Sequence, residues 1–189
     1  MASIYNDLIN SRFGTYRGLI RLLLAQMEAA TGRLTAYRDP DLRRVDRIVF
    51  VCLGNVCRSP YAELVARQHG LPAASFGLST ATGVPAHPDG VVAARCLGSD
   101  LAAHTARDIS DFDIRDSDLL LVMEVRQARN LARYLEGSGS AAQIALLGFW
   151  AKPKRPHIHD PMSLSADYFL NCYRLINSAV TNLAACYKG

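Results

Sequence analysis

The apolar run Ile48-Val49-Phe50-Val51 breaks directly into Cys52-Leu53-Gly54-Asn55-Val56-Cys57-Arg58-Ser59-Pro60, and no other stretch of the chain restricts its fold as tightly. A short unbroken apolar run rich in β-branched residues reads as a strand buried on both faces, the kind found in parallel sheets. Gly54 opens backbone angles closed to other residues, and Asn55 tolerates the left-handed region better than most. Pro60 suits an early helical position, where its missing N–H costs nothing. The apolar spacing of Tyr61, Leu64 and Val65 then carries an amphipathic helix to about Gln68, before Gly70. Strand, short loop and helix follow one another within about twenty residues.

A loop of this kind points successive backbone N–H groups into one concavity, and the helix start adds partial positive charge there. The side chains extend the argument. A cysteine beside a helix N-terminus and an arginine is favoured as thiolate, the form that acts as a nucleophile. Arg58, six positions after Cys52, offers a planar fork of donors that matches two phosphate oxygens and keeps its charge. Ser59 is placed to donate a hydrogen bond to the sulfur. The amides of Leu53, Gly54, Asn55, Val56, Cys57 and Ser59 form the cradle. Together these groups supply a nucleophile, an anion site and charge stabilisation for a transferring phosphoryl group.

The string Val51-Cys-Leu-Gly-Asn-Val-Cys-Arg-Ser-Pro60, with Ala62 and Glu63 just beyond, resembles the signature loop of the low-molecular-weight protein tyrosine phosphatases, bacterial branch. The resemblance runs from about Arg47 to the C-terminus. It implies a general acid in a late Asp-Pro pair, here Asp160-Pro161, since an alkoxide or phenolate leaves poorly until protonated. By the same resemblance Ser79 and His104 support the loop asparagine, and the Met123-Glu124 pair follows the third strand. Members acting on phosphotyrosine line the cleft with aromatics after the second strand and after Asp-Pro. Here residues 83–88 carry no aromatic, and Met162 stands as the substrate wall. The resemblance implies a phosphocysteine intermediate, a phosphotyrosine protein substrate such as a tyrosine kinase regulating bacterial exopolysaccharide production, and no cofactor.

The rest of the core alternates strand and helix patterns: strand 74–78, helix 90–97, strand 118–122, helix 126–136, strand 143–147 and a long helix 166–186. Such alternation predicts an α/β fold, a three-layer, doubly wound parallel sheet with helices on both faces. Its ligand site lies beyond the strand ends, where Cys52 falls. The family resemblance sets the number of strands at four.

Residues 1–47 form an N-terminal helical extension to the phosphatase-like domain of residues 48–189. They carry eight arginines against five acidic residues. Phe13, Tyr16, Ile20, Leu23, Leu24 and Met27 share one helical face, with Arg17, Arg21 and Glu28 on another and Gly32 as a stop. The expected role is a helix packed on its own domain; a weak homodimer contact or an anionic membrane surface are the less favoured readings.

Five scattered cysteines, Cys52, Cys57, Cys96, Cys172 and Cys186, make no disulfide framework, and a thiolate enzyme requires a reducing, cytoplasmic setting. Cys57 reads equally as a small buried hydrophobe or as a partner that traps oxidised Cys52. His157 and His159 alternate without further suitably spaced ligands, so no metal is expected. Nucleic-acid binding is not indicated at a net charge of +4 without a basic stripe. Two alternatives belong to other classes. An arsenate reductase on the same fold needs two further cysteines after the third strand, and residues 122–136 hold none. A non-catalytic phosphate-binding module would have no use for an intact Cys52, Arg58 and Asp160.

Overall fold

The computed structural model describes residues 2–187. Four parallel strands, β1 (Arg47–Cys52), β2 (Ala73–Gly77), β3 (Asp118–Val122) and β4 (Gln143–Leu146), lie in the order β2-β1-β3-β4. The helices are α1 (Ala2–Phe13), α2 (Tyr16–Ala30), α3 (Arg58–Gln68), α4 (Pro88–Cys96), α5 (Val125–Ser138) and α6 (Ala166–Tyr187). This is the doubly wound α/β sheet expected, with every element of the core within two residues of its predicted bounds.

Strand alternation divides the core between the two faces of the sheet. Ile48, Phe50 and Cys52 of β1 point to a layer that includes Tyr61 and Val65 of α3 and Phe169, Tyr173 and Ile176 of α6. Val49 and Val51 point the other way, to Ala128, Leu131 and Leu135 of α5 and Ala25 of α2. Tyr61 and Tyr173 stack with ring centroids 4.0 Å apart, tying α3 to α6. At the opposite end of the sheet from Cys52, Arg47 and Asp118 form a bidentate pair across β1 and β3 at 2.7–2.8 Å. β1 is the strand where the order reverses. Its carboxyl end is therefore the crevice of the sheet.

The N-terminal region departs from the expected helix. Gly14, at φ +78°, breaks the chain into α1 and α2, and the Thr15 hydroxyl caps α2 by accepting from Gly18 N at 3.0 Å. Tyr16, Ile20, Leu23, Leu24 and Met27 remain exposed, while Gly18, Leu22 and Ala25 make the buried face. The reason is steric. α2 packs so closely on the end of α1 and on the segment before Asp160 that a Cβ on Gly18 would stand 2.2 Å from Phe13 O and 2.9 Å from the His159 ring. At that approach only glycine fits position 18, while Leu22 and Ala25 fill the rest of the buried face. Among the described residues no helix is long and apolar enough to cross a membrane.

Candidate active site

Cys52 ends β1 and is 2% exposed, and Arg58 opens α3 six residues later. The loop between them is held from outside by its carbonyls. Ser79 N donates to Leu53 O at 2.9 Å and His87 N to Val56 O at 2.9 Å. His104 Nε2 donates to Asn55 O at 2.8 Å, and the Tyr173 hydroxyl to Cys57 O at 2.9 Å. In a trans peptide the C=O and the following N–H point oppositely. Four carbonyls turned outward therefore turn the N–H groups of Gly54, Val56, Cys57 and Arg58 inward. That is a ring of donors around one point, at a helix start.

Asn55 adopts φ +50°, which leaves its side chain free to brace the loop. Its Nδ2 donates to Ser59 Oγ at 2.9 Å and to Ser75 Oγ at 2.8 Å, and its Oδ1 accepts from Arg107 N at 2.9 Å. Ser75 passes its own proton to Glu63 Oε2 at 2.6 Å. Ser59, already accepting from Asn55, has its proton left for the Cys52 sulfur 3.0 Å away. Asn55 N also donates to that sulfur at 3.3 Å. Two hydrogen bonds therefore converge on the sulfur.

The serine on Asn55 is thus Ser75, not Ser79. Ser75 sits inside β2 beside Phe50 of β1, with its hydroxyl directed at the loop, whereas Ser79 lies past the strand and contributes its backbone N–H. Gly77 allows this approach, because a Cβ there would stand 2.9 Å from Leu53 O.

Arg58 is buried and fixed on three sides. Nη1 donates to Glu124 Oε1 at 2.8 Å and to Ile158 O at 2.9 Å, and Nη2 to Asp160 Oδ2 at 2.6 Å. Its Nε is buried with no partner. Nε and Nη2 share the edge of the guanidinium that grips an oxyanion with two bonds. Burial acts to raise the Glu124 pKa, but the Arg58 charge and hydrogen bond outweigh it and hold the carboxylate below its ordinary value. Glu124, seen in the sequence only as part of a matching pair, is the anchor that keeps a buried arginine aligned.

Asp160 is half-buried; its Oδ1 accepts from Met162 N at 3.3 Å, and Met162 itself is 42% exposed. Tyr168, by contrast, is buried and donates to His159 O at 3.1 Å. Beside the loop a cleft of about 290 Å³ opens between Leu53, Leu78 and Ser79 on one side and Tyr134 of α5 on the other. Cys57 is buried, which pushes its thiol above the ordinary value. His157 and His159 belong to the segment leading to Asp160, ring centroids 5.7 Å apart, and no group among the described residues has the make-up of a metal site.

A hydrogen-bonded cysteine, a forked arginine and a carboxyl group meet at one donor-lined crevice, and the sequence comparisons agree with that geometry. Residues 47–188 match the family described as low molecular weight phosphotyrosine protein phosphatase. The chain belongs to that family. It is 36% identical over 141 residues to the low molecular weight protein-tyrosine-phosphatase Wzb of Salmonella typhi, covering 74% of this chain and 92% of that protein. It is 34% identical to the Schizosaccharomyces pombe low molecular weight phosphotyrosine protein phosphatase, over 67% of this chain and 87% of the other. The solved tyrosine phosphatase AmsI of Erwinia amylovora superposes with a TM-score of 0.65 at 28% identity, over 75% of this chain and 93% of its own. The chain is a cysteine-dependent protein-tyrosine-phosphatase, and residues 1–46 fall outside the family match.

Proposed function

We propose that Cys52, Arg58 and Asp160 carry the reaction, with phosphotyrosine in a protein as substrate. The observation that carries the reading is the unpartnered Nε of Arg58, a buried donor on the residue that opens α3 six positions after Cys52. A phosphate dianion entering the loop takes the inward N–H groups and the Nε–Nη2 edge. In doing so it competes with Asp160 for Nη2, which turns that carboxyl from the arginine to the ester oxygen above. The Cys52 thiolate attacks phosphorus, the P–O bond to the leaving group breaks, and Asp160 delivers a proton to the departing oxygen. Asp160 as carboxylate then takes a proton from water, which attacks the phosphocysteine and releases phosphate and thiolate. Ser59 and the Asn55 amide stabilise the sulfur both as nucleophile and as leaving group.

The cleft beside Leu53 is read as the seat of the substrate chain. Tyr134 supplies the aromatic face that residues 83–88 lack, and exposed Leu53 and Met162 add apolar contact. The substrate proposed is a tyrosine kinase of exopolysaccharide production in the cytoplasm. Hydrolysis of p-nitrophenyl phosphate and of a phosphotyrosine peptide should both be lost in Cys52→Ser, by about 10⁴-fold or more, while phosphate still binds. Hydrolysis of the small ester alone would put the natural substrate elsewhere, and an active Cys52→Ser enzyme would overturn the assignment.

A further inference from the structure

On the far side of the acid segment, between the α1–α2 junction and α6, lies a second cavity of about 380 Å³. It is within the roughly 300–1,000 Å³ of small-molecule sites. Its charge is one-sided. Arg12, Lys152, Arg155 and Arg174 line it, and no aspartate or glutamate does. Among the described residues none of these four cations is in an ion pair with a carboxylate. Arg155 is half-buried. Its Nη1 donates to the Arg12 carbonyl at 2.8 Å, and its guanidinium lies 4.8 Å from the centre of the Phe13 ring. Burial pushes it below its ordinary value and Arg12 adds to that, whereas Arg47 is raised by its partner Asp118.

Three buried side-chain nitrogens among the described residues have no partner: Arg58 Nε, His157 Nε2 and His159 Nδ1. The first belongs to the arginine of the cysteine loop. Both histidines line the second cavity, and His157 is only 6% exposed. Phe13, Ile158 and Tyr168 give the same cavity apolar walls. Uncompensated cations and an apolar wall describe a receptor for an anion that carries an organic body.

We propose that this cavity binds a small organic phosphate, at a site separate from the catalytic loop and built jointly by residues inside and outside the family match. The phosphate meets Arg12, Arg155 and Arg174, with Lys152 at the rim, and the body lies on Phe13 and Tyr168. The inference does not depend on which phosphoester the catalytic loop hydrolyses.

The test is a site-resolved NMR titration of the full chain with adenosine 5′-monophosphate. Amides of residues 53–59 report the catalytic loop, and those of residues 12–18 and 152–159 report the cavity. Saturable shifts are expected in the second set. In the double variant Arg12→Ala, Arg174→Ala they should weaken by at least about tenfold, the loss of charge-assisted contacts, with the affinity read at the loop unchanged. Both side chains are exposed, so folding is not at stake. Shifts in residues 12–18 and 152–159 that fail to saturate, or that are untouched by the double substitution, would overturn the proposal, while loss of turnover in Cys52→Ser remains a separate question.

Discussion

Two segments reach the carboxyl end of β1, and they are held in different ways. The cysteine loop is braced within the family-matched part of the chain, by Ser75, His104, Arg107 and Tyr173. The acid segment, residues 155–160, is braced from both sides. On the inside Ile158 N donates to Met123 O at 2.8 Å, and Arg58 takes Ile158 O and Asp160. On the outside Thr15 pairs with His159 at 3.2 Å, and Arg155 reaches the Arg12 carbonyl. The nucleophile therefore rests on family structure alone, and the acid rests partly on an addition to it. Damage to the loop should affect every substrate alike. Damage to the acid segment should show in how rate depends on the leaving group.

Asp160→Asn makes the sharpest test of that division. Removing a general acid costs roughly 10²–10⁴-fold in kcat. The loss should be greatest for aryl phosphates with poor leaving groups and small for activated ones. A leaving-group dependence identical to wild type would reduce Asp160 to a wall of the cleft.

The second effect is on stability and belongs to the acid side. Burial holds His157 neutral and pushes its pKa down to about 4, with Glu124 opposing. A histidine with a lowered folded-state pKa favours the native state above its unfolded value and loses that contribution as pH falls. Between pH about 6.5 and 4 the unfolded chain binds the extra proton, a loss of roughly 3 kcal/mol. Urea unfolding at stepped pH should show it, and His157→Gln should flatten the slope over that interval. An unchanged slope would mean that another group governs the acid limb.

Asn55→Ala comes next, on the nucleophile side. It removes three side-chain hydrogen bonds and leaves alanine at φ +50°. A cost of about 2 kcal/mol in transition-state binding follows, near thirtyfold in kcat/KM. Phosphate affinity should fall with it, and the leaving-group dependence should stay as in wild type.

These two segments also differ in how far they were legible beforehand. The cysteine loop could be read because its parts are neighbours in sequence: strand, turn residues and helix start fall within 47–60, where local conformational preference decides. Asp160 could be read through its Asp-Pro company and the resemblance. The resemblance points to Ser79 rather than Ser75 because it runs along the chain, whereas the contact is set across strands, where Ser75 stands beside Phe50. A polar residue in a strand half-way to the loop, with Glu63 one helix away, was the available signal. The facing of α2 was misread for a different reason. Apolar periodicity assumes that the largest side chains face the core, but the surface beneath α2 lies so near that Gly18 fits where a bulky residue cannot. Nothing in the local pattern of residues 13–27 records a partner at position 159.

Thr15→Val measures that long-range partner directly and has the smallest expected effect. The substitution keeps shape and β-branching but removes Oγ1, which both caps α2 at Gly18 N and meets His159 Nε2. Loss of the cap costs about 1 kcal/mol of helix stability. Loss of the second contact frees the residue immediately before Asp160. If the α1–α2 hairpin positions the acid, kcat should fall several-fold, the equivalent of about 1 kcal/mol. The fall should be larger for poor leaving groups, with phosphate affinity unchanged. Thr15→Ser keeps the oxygen and should restore the rate. An equal fall for all leaving groups, or no rescue by serine, would show that the hairpin only stabilises the fold. The contrast between the two segments would then lie in stability rather than in catalysis, because the inner contacts from Arg58 and Met123 would suffice to aim the carboxyl.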